Sequence, residues 1–158
     1  SDLALRVRRA GWSIVDGTRC SDHPVRRAGP WTSLRREAGN EDDALMRALH
    51  GPDWWRQIDA SVTRRPRHLA TTAAAAVALA AAAARRPSLS VAAALCWCAA
   101  VSEFAAARIR PGPRTPVEVC TMIATSVAIP PAATFYWLRG LIRHQGAQPW
   151  SPAQAAKS

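Results

Sequence analysis

Residues 69–84 and 88–102 form two uncharged, alanine-rich runs, parted only by Arg85-Arg86-Pro87. At 1.5 Å per residue each run makes a helix of roughly 23 Å, a little short of the ~20 residues that a membrane crossing takes. Arginines at the ends lengthen such runs by snorkelling towards the headgroups. In water both helices would need a large apolar partner, and the rest of the chain offers little to bury them against. The pattern predicts a helical hairpin over residues 61–107, either transmembrane or re-entrant.

Charge follows the same division. Residues 1–60 hold 10 Arg against 9 Asp and Glu, which nearly cancel. Residues 61–158 hold 10 Arg and Lys157 against only Glu103 and Glu118. Arginines bracketing apolar runs follow the positive-inside pattern of a cytoplasmic membrane face. A nucleic-acid surface needs a basic stripe with readout side chains beside it; here the cations bracket apolar segments, so the partners predicted are membrane lipids and no nucleic acid. The location implied is the cell membrane, with residues 1–60 on the cytoplasmic side.

The N-terminal third reads as short elements. Residues 2–10 have a helical apolar face of Leu3, Val7 and Ala10, with Asp2 favourably placed in the first turn and Gly11 as the stop. Trp12 to Val15 and Thr18 to Asp22 read as two short strands around an Asp16-Gly17 turn. Pro30 opens a helix containing Leu34 and Ala38. Asn40 is the N-cap of the next helix, whose first turn holds Glu41, Asp42 and Asp43; His50, Gly51 and Pro52 close it. The acidic run is accounted for by the helix dipole without a metal. Trp54 and Trp55 are expected at headgroup level.

Beyond the hairpin, residues 108–116 read as a Pro/Gly/Arg linker. Residues 108–143 as a whole are expected to form interfacial helices broken at Pro130-Pro131, and residues 144–158 a disordered tail. Cys20, Cys96, Cys98 and Cys120 lack zinc spacing and read as small apolar residues. No Gly-rich phosphate loop is present, and the four histidines have no ligand spacing.

The opening Ser1-Asp2-Leu3-Ala4-Leu5-Arg6-Val7-Arg8-Arg9-Ala10-Gly11-Trp12 resembles a family 2 glycosyltransferase. Those enzymes carry an acidic E-D-x-D-L motif leading into a helix of the form L-x-x-R-h-x-x-x-G-W/Y, then a strand, a turn and a His. Asp2-Leu3 fits the D-L, Arg6 the helical arginine, Gly11-Trp12 the helix end and His23 the later histidine. Residues 38–45, 48–51, 111–116 and 126–131 are similar to the C-terminal halves of actinobacterial membrane-associated members. The implied fold is mostly α with a small α/β N-terminal piece: a truncated C-terminal part of a GT-A-type, Rossmann-like domain (residues 1–60), followed by membrane-associated helices.

The resemblance implies inverting transfer of a sugar from a nucleotide-sugar to an envelope acceptor. It assigns Asp2 as the carboxylate next to the catalytic motif and His23 as a diphosphate or metal contact. The family's base and its metal-binding D-x-D correspond to positions before Ser1. No cofactor is therefore expected in the chain itself; nucleotide-sugar and divalent cation enter through the family only. The expectation is an enzyme fragment inactive alone, with the upstream half of the enzyme as a partner. The alternative is a small, non-enzymatic, membrane-anchored interaction protein.

Overall fold

The computed structural model describes residues 2–15, 17–22, 29–58 and 64–151. Among the described residues there are six α-helices: α1 (Asp2–Arg9), α2 (Thr32–Arg36), α3 (Asn40–His50), α4 (Arg65–Ala83), α5 (Pro87–Ile109) and α6 (Pro116–Arg143). The mostly helical expectation is met. Among the described residues there is no strand, so the two short strands expected around residues 12–22 are absent. Trp12, Ile14 and Val15 are 73%, 60% and 80% exposed. A strand pair of this size has no stability without a further strand or helix to cover its apolar side, and nothing among the described residues covers these three.

Residues 32–50 are nearly one continuous helix. A 3₁₀ turn at Glu37–Gly39 joins α2 to α3, and Arg36, Gly39 and Asn40 all keep right-handed helical backbone. Asn40 is therefore not the N-cap that the sequence suggested. Its Nδ2 donates backwards, to the Glu37 carbonyl at 2.9 Å and to Glu37 Oε2 at 3.0 Å. The other end matches expectation: Gly51 has φ +91°, and its N–H donates to the Arg47 carbonyl at 3.0 Å. That left-handed conformation is what glycine supplies cheaply after a helix. Trp54, expected at headgroup level, is instead 6% exposed. It packs with Leu5 and Met46, with Trp55 and Ile58 against the cluster, because α1 and the 3₁₀ turn at Trp54–Ile58 close over the end of α3.

α4 and α5 form the predicted hairpin. At its tip the Arg85 N–H donates to the Ala82 carbonyl and the Arg86 N–H to the Ala81 carbonyl, at 3.0 and 2.8 Å. Those two bonds are a Schellman closure, with Arg85 at φ +55° in the position usually held by glycine. Ser90 Oγ donates to the Ala78 carbonyl at 2.9 Å and ties the two helices just below the tip. Where the helices are covered they bury mostly small or polar groups, Thr71, Ala81 and Ala105, together with Val101; Leu79, Leu89, Val91 and Leu95 face outward.

α6 begins with Pro116 after Thr115, whose hydroxyl accepts the Glu118 N–H at 3.3 Å. It then runs unbroken through Pro130 and Pro131, so the interruption expected there does not occur. Those prolines cannot donate to the carbonyls of Ser126 and Val127. Arg108, at the end of α5, lies against that turn. Its NH1 is 2.8 Å from Thr125 Oγ1, 2.9 Å from Ser126 Oγ and 3.2 Å from the Met122 carbonyl, while NH2 reaches Ser33 Oγ of α2 at 3.0 Å. Thr125 and Ser126 are fully buried. Neighbouring helices and hydroxyl side chains are what hold proline-containing helices together. α5 and α6 are each long and apolar enough to cross a membrane, and only 11% and 28% of their most apolar windows are buried.

The segment after α6 turns back. The Trp150 N–H donates to the Leu49 carbonyl at 3.0 Å, which orders residues that the sequence had assigned to a disordered tail; residues 152–158 lie outside the described part.

Candidate functional site

α1 lies across the C-terminal end of α3, and this crossing brings charged side chains together. Asp2 Oδ1 is 2.7 Å from His50 Nε2. Arg6, one turn along α1, holds the same carboxylate with Nε on Oδ1 and NH2 on Oδ2, both at 3.0 Å. Arg9 NH1 lies 3.0 Å from His50 Nδ1, and its NH2 donates to the His50 carbonyl at 3.2 Å and to Gln57 Oε1 at 3.1 Å. Arg8 donates to the Gln57 carbonyl. Arginine has no acceptor, so Nδ1 of His50 accepts and Nε2 carries the proton towards Asp2. The Trp150 ring completes the cluster, tilted against His50 at 6.3 Å, with the guanidiniums of Arg6 and Arg9 at 5.8 and 5.9 Å from its centroid.

The electrostatics follow from these contacts. Partial burial pushes the Asp2 carboxyl upward, but the hydrogen bonds from His50 and Arg6, together with the positive charge of Arg6, outweigh it and leave Asp2 below its ordinary range. Asp2 is thus an ionised, outward-facing carboxylate with both oxygens engaged. It can orient a hydroxyl or fix Arg6 and His50, but it is poorly set up to take a proton. Three arginines on one short helix, beside an indole, suit an anionic group.

Of the residues singled out from the sequence, Asp2 lies in this cluster and His23 falls outside the described residues. His50, read only as a helix-closing residue, is the partner that sequence reasoning missed. The signal available was its position one residue before Gly51 on an otherwise apolar helix face, where a buried histidine needs partners for both nitrogens.

Other cavities lie away from this cluster, two of them beside charged groups. A groove of about 700 Å³ separates α2 from the start of α6 and is lined by Thr32, Arg36, Glu37, Thr115, Glu118 and Met122, among others. Burial raises the Glu37 carboxyl, partly offset by the Asn40 amide and the Arg108 charge. A smaller cavity of about 190 Å³ opens at the mouth of the hairpin between Arg64, Arg67, His68, Glu103 and Phe104; Glu103 is shared there by Arg64 at 3.3 Å and Arg67 at 3.4 Å. Among the described residues no group of three or more His, Cys, Asp or Glu side chains is placed to hold a metal ion. No family model, curated protein or solved structure matches the chain.

Proposed function

We propose that this chain is the membrane-seated end of an inverting family 2 glycosyltransferase, which moves a sugar from a nucleotide-sugar to an acceptor at the membrane. The observation that carries the membrane part is the inverted packing of the hairpin. Val77, Leu79, Leu89, Val91 and Leu95 point outward, while the buried positions are mostly small or polar, Thr71, Ala81 and Ala105, with Val101 the one larger apolar side chain among them. That is how helices pack when the surrounding medium is as apolar as leucine.

The glycosyltransferase part rests on the opening motif. α1 presents Asp2 and three arginines at the foot of an apolar stretch, Trp12 to Val15, which lies uncovered. In this reading the stretch is the edge at which a donor-binding half attaches. Asp2 steers the acceptor or holds Arg6, and a carboxylate of the other half removes the acceptor proton as its oxygen attacks the anomeric carbon. A divalent cation does not fit the described residues, since Asp2 is already bound by Arg6 and His50 and no second carboxylate, His or Cys side chain completes a ligand set beside it.

Two measurements test the proposal. The full chain should co-float with liposomes, and failure to float removes the membrane part. Calorimetric titration with uridine- and guanosine-diphosphate sugars should show no binding by the chain alone. Tight donor binding or turnover without a second half would contradict the division of labour.

A second reading is a non-enzymatic membrane-anchored interaction protein. It is favoured by one observation: α1, α3 and the Trp54–Ile58 turn are closed over a polar cluster of Asp2, His50 and Arg9 and an apolar one of Leu5, Met46 and Trp54, and are docked on α6. Transfer activity that appears with a donor-binding half and vanishes with Asp2→Ala would decide against it.

A further inference from the structure

α6 satisfies the length and composition of a second membrane span, but its surroundings argue for another seat. Val117, Cys120, Ala124, Val127, Phe135 and Leu138 are all exposed and follow one another at steps of three or four residues, with two such steps between Val127 and Phe135. That spacing keeps them on one side of a helix. The result is an uncharged apolar stripe running nearly the whole length of α6.

Roughly half a turn away lie Ile129, Ala133 and Gly140, which are buried. On this side α2 and α3 run alongside α6. Ser33 of α2 shares Arg108 with Thr125 and Ser126; further along, a Cβ on Gly140 would touch Ala44 and Glu41 of α3. The outward face of that layer carries Arg35, Arg36, Asp42 and Arg47, all exposed. If α6 crossed a bilayer, it would drag this charged layer into the hydrocarbon, where such side chains are strongly disfavoured.

The hairpin meets α6 on the flank of the stripe, through Thr72 to Thr134 at 3.1 Å and the Arg65 guanidinium over the Trp137 ring. Its basic mouth, with Arg64 and Arg67, lies at the same level. Arg139 and Arg143 stand near the end of the stripe; both are well exposed and share the single carboxylate of Glu41 on α3, at 2.6 and 3.6 Å, which leaves the pair a net positive charge.

We propose that α6 lies in the plane of the membrane surface, with its stripe sunk into the headgroup–acyl boundary of an anionic bilayer. α2 and α3 cover its water side, and the hairpin enters the bilayer beside it. This inference rests on the membrane-seated reading above. It names the surface recognised: anionic headgroups over acyl chains, met by arginines over an apolar stripe.

The test is spin-label depth measurement on the full chain in vesicles of phosphatidylcholine and phosphatidylglycerol. The four cysteines are replaced by serine, and one label at a time is introduced through Val117→Cys, Val127→Cys, Leu138→Cys, Leu95→Cys or Arg47→Cys; all five sites are exposed, so the labels do not enter the core. The expected result is one common depth for the three α6 labels, about 5–10 Å below the phosphates, with Leu95→Cys deeper and Arg47→Cys in water. A depth that shifts steadily along α6, by about 30 Å between positions 117 and 138 at 1.5 Å per residue, would mean that α6 crosses and would overturn the inference. Stripe labels shielded from lipid and broadened by a nearby label would mean that a second copy covers the stripe, and would overturn it too. A Leu95→Cys label found in water would instead remove the membrane-seated reading itself.

Discussion

Gly140 is the point at which the closeness of α3 and α6 is decided. A Cβ at this position would sit 2.8 Å from Ala44 Cβ and 2.9 Å from both the Cα and the carbonyl oxygen of Glu41. Two of these three neighbours are backbone, which cannot rotate away, so Gly140→Ala must push the helices apart. Overpacking of this kind costs about 1–3 kcal/mol. Alanine also raises helix propensity by about 1 kcal/mol over glycine, but that gain goes to α6 itself and not to its docking on α3. The docked population should therefore fall by about 5- to 150-fold, taking 1.4 kcal/mol as tenfold. Hydrogen–deuterium exchange of residues 40–50 in lipid vesicles reads this directly as lost protection. Ala44→Gly in the same chain removes the Cβ–Cβ clash and leaves the two Glu41 contacts, so it should restore only part of the loss when compared with Ala44→Gly alone. Unchanged exchange in Gly140→Ala, or full restoration by Ala44→Gly, would refute the argument.

Further consequences can be measured in the same system. Trp54→Ala empties the centre of the Leu5–Met46 cluster and should cost about 3–5 kcal/mol, seen as faster exchange in residues 2–9 and 54–58 with the hairpin unchanged. Because the Asp2 carboxyl is held below its ordinary range, its contribution to α1 docking is fully present above the unfolded carboxylate range and disappears as pH falls through the lower folded value; Asp2→Asn should abolish that acid-side transition in an NMR titration of α1. In vesicles, a water-soluble maleimide should modify Cys20 rapidly and Cys96 and Cys98 slowly, although all three are exposed and free in the protein alone; equal rates would place the hairpin outside the lipid.

The elements most readable in the sequence were those with a local cause. Gly51 ends α3 because a left-handed residue is needed there, and Arg85-Arg86-Pro87 turns the hairpin because Pro87 opens the next helix. The misreadings each have a tertiary cause. Asn40 looks like a cap, but the upstream 3₁₀ turn already supplies helical carbonyls, so its side chain serves Glu37 instead. Pro130 and Pro131 look like a break, yet the helix runs on through them, with Arg108 of a different helix packed against the preceding turn through the Met122 carbonyl and the Thr125 and Ser126 hydroxyls. The Asp2–His50 pair spans 48 positions and depends on α1 crossing α3, a geometry that no local pattern encodes.

Arg85 holds a strained left-handed turn that glycine would adopt freely, a cost of about 1–3 kcal/mol. In the proposed seating, the reason lies in what the tip has to pass. With Arg86 it gives the leading end two guanidiniums that, in a hairpin that spans, have to be pulled through the hydrocarbon once and pulled back to let go. Such a tip works as a barb: entry is slow and calls for assistance, and withdrawal is slower still. Arg85→Gly would relax the turn and blunt the barb, giving a hairpin that folds more readily and is extracted from the membrane more easily.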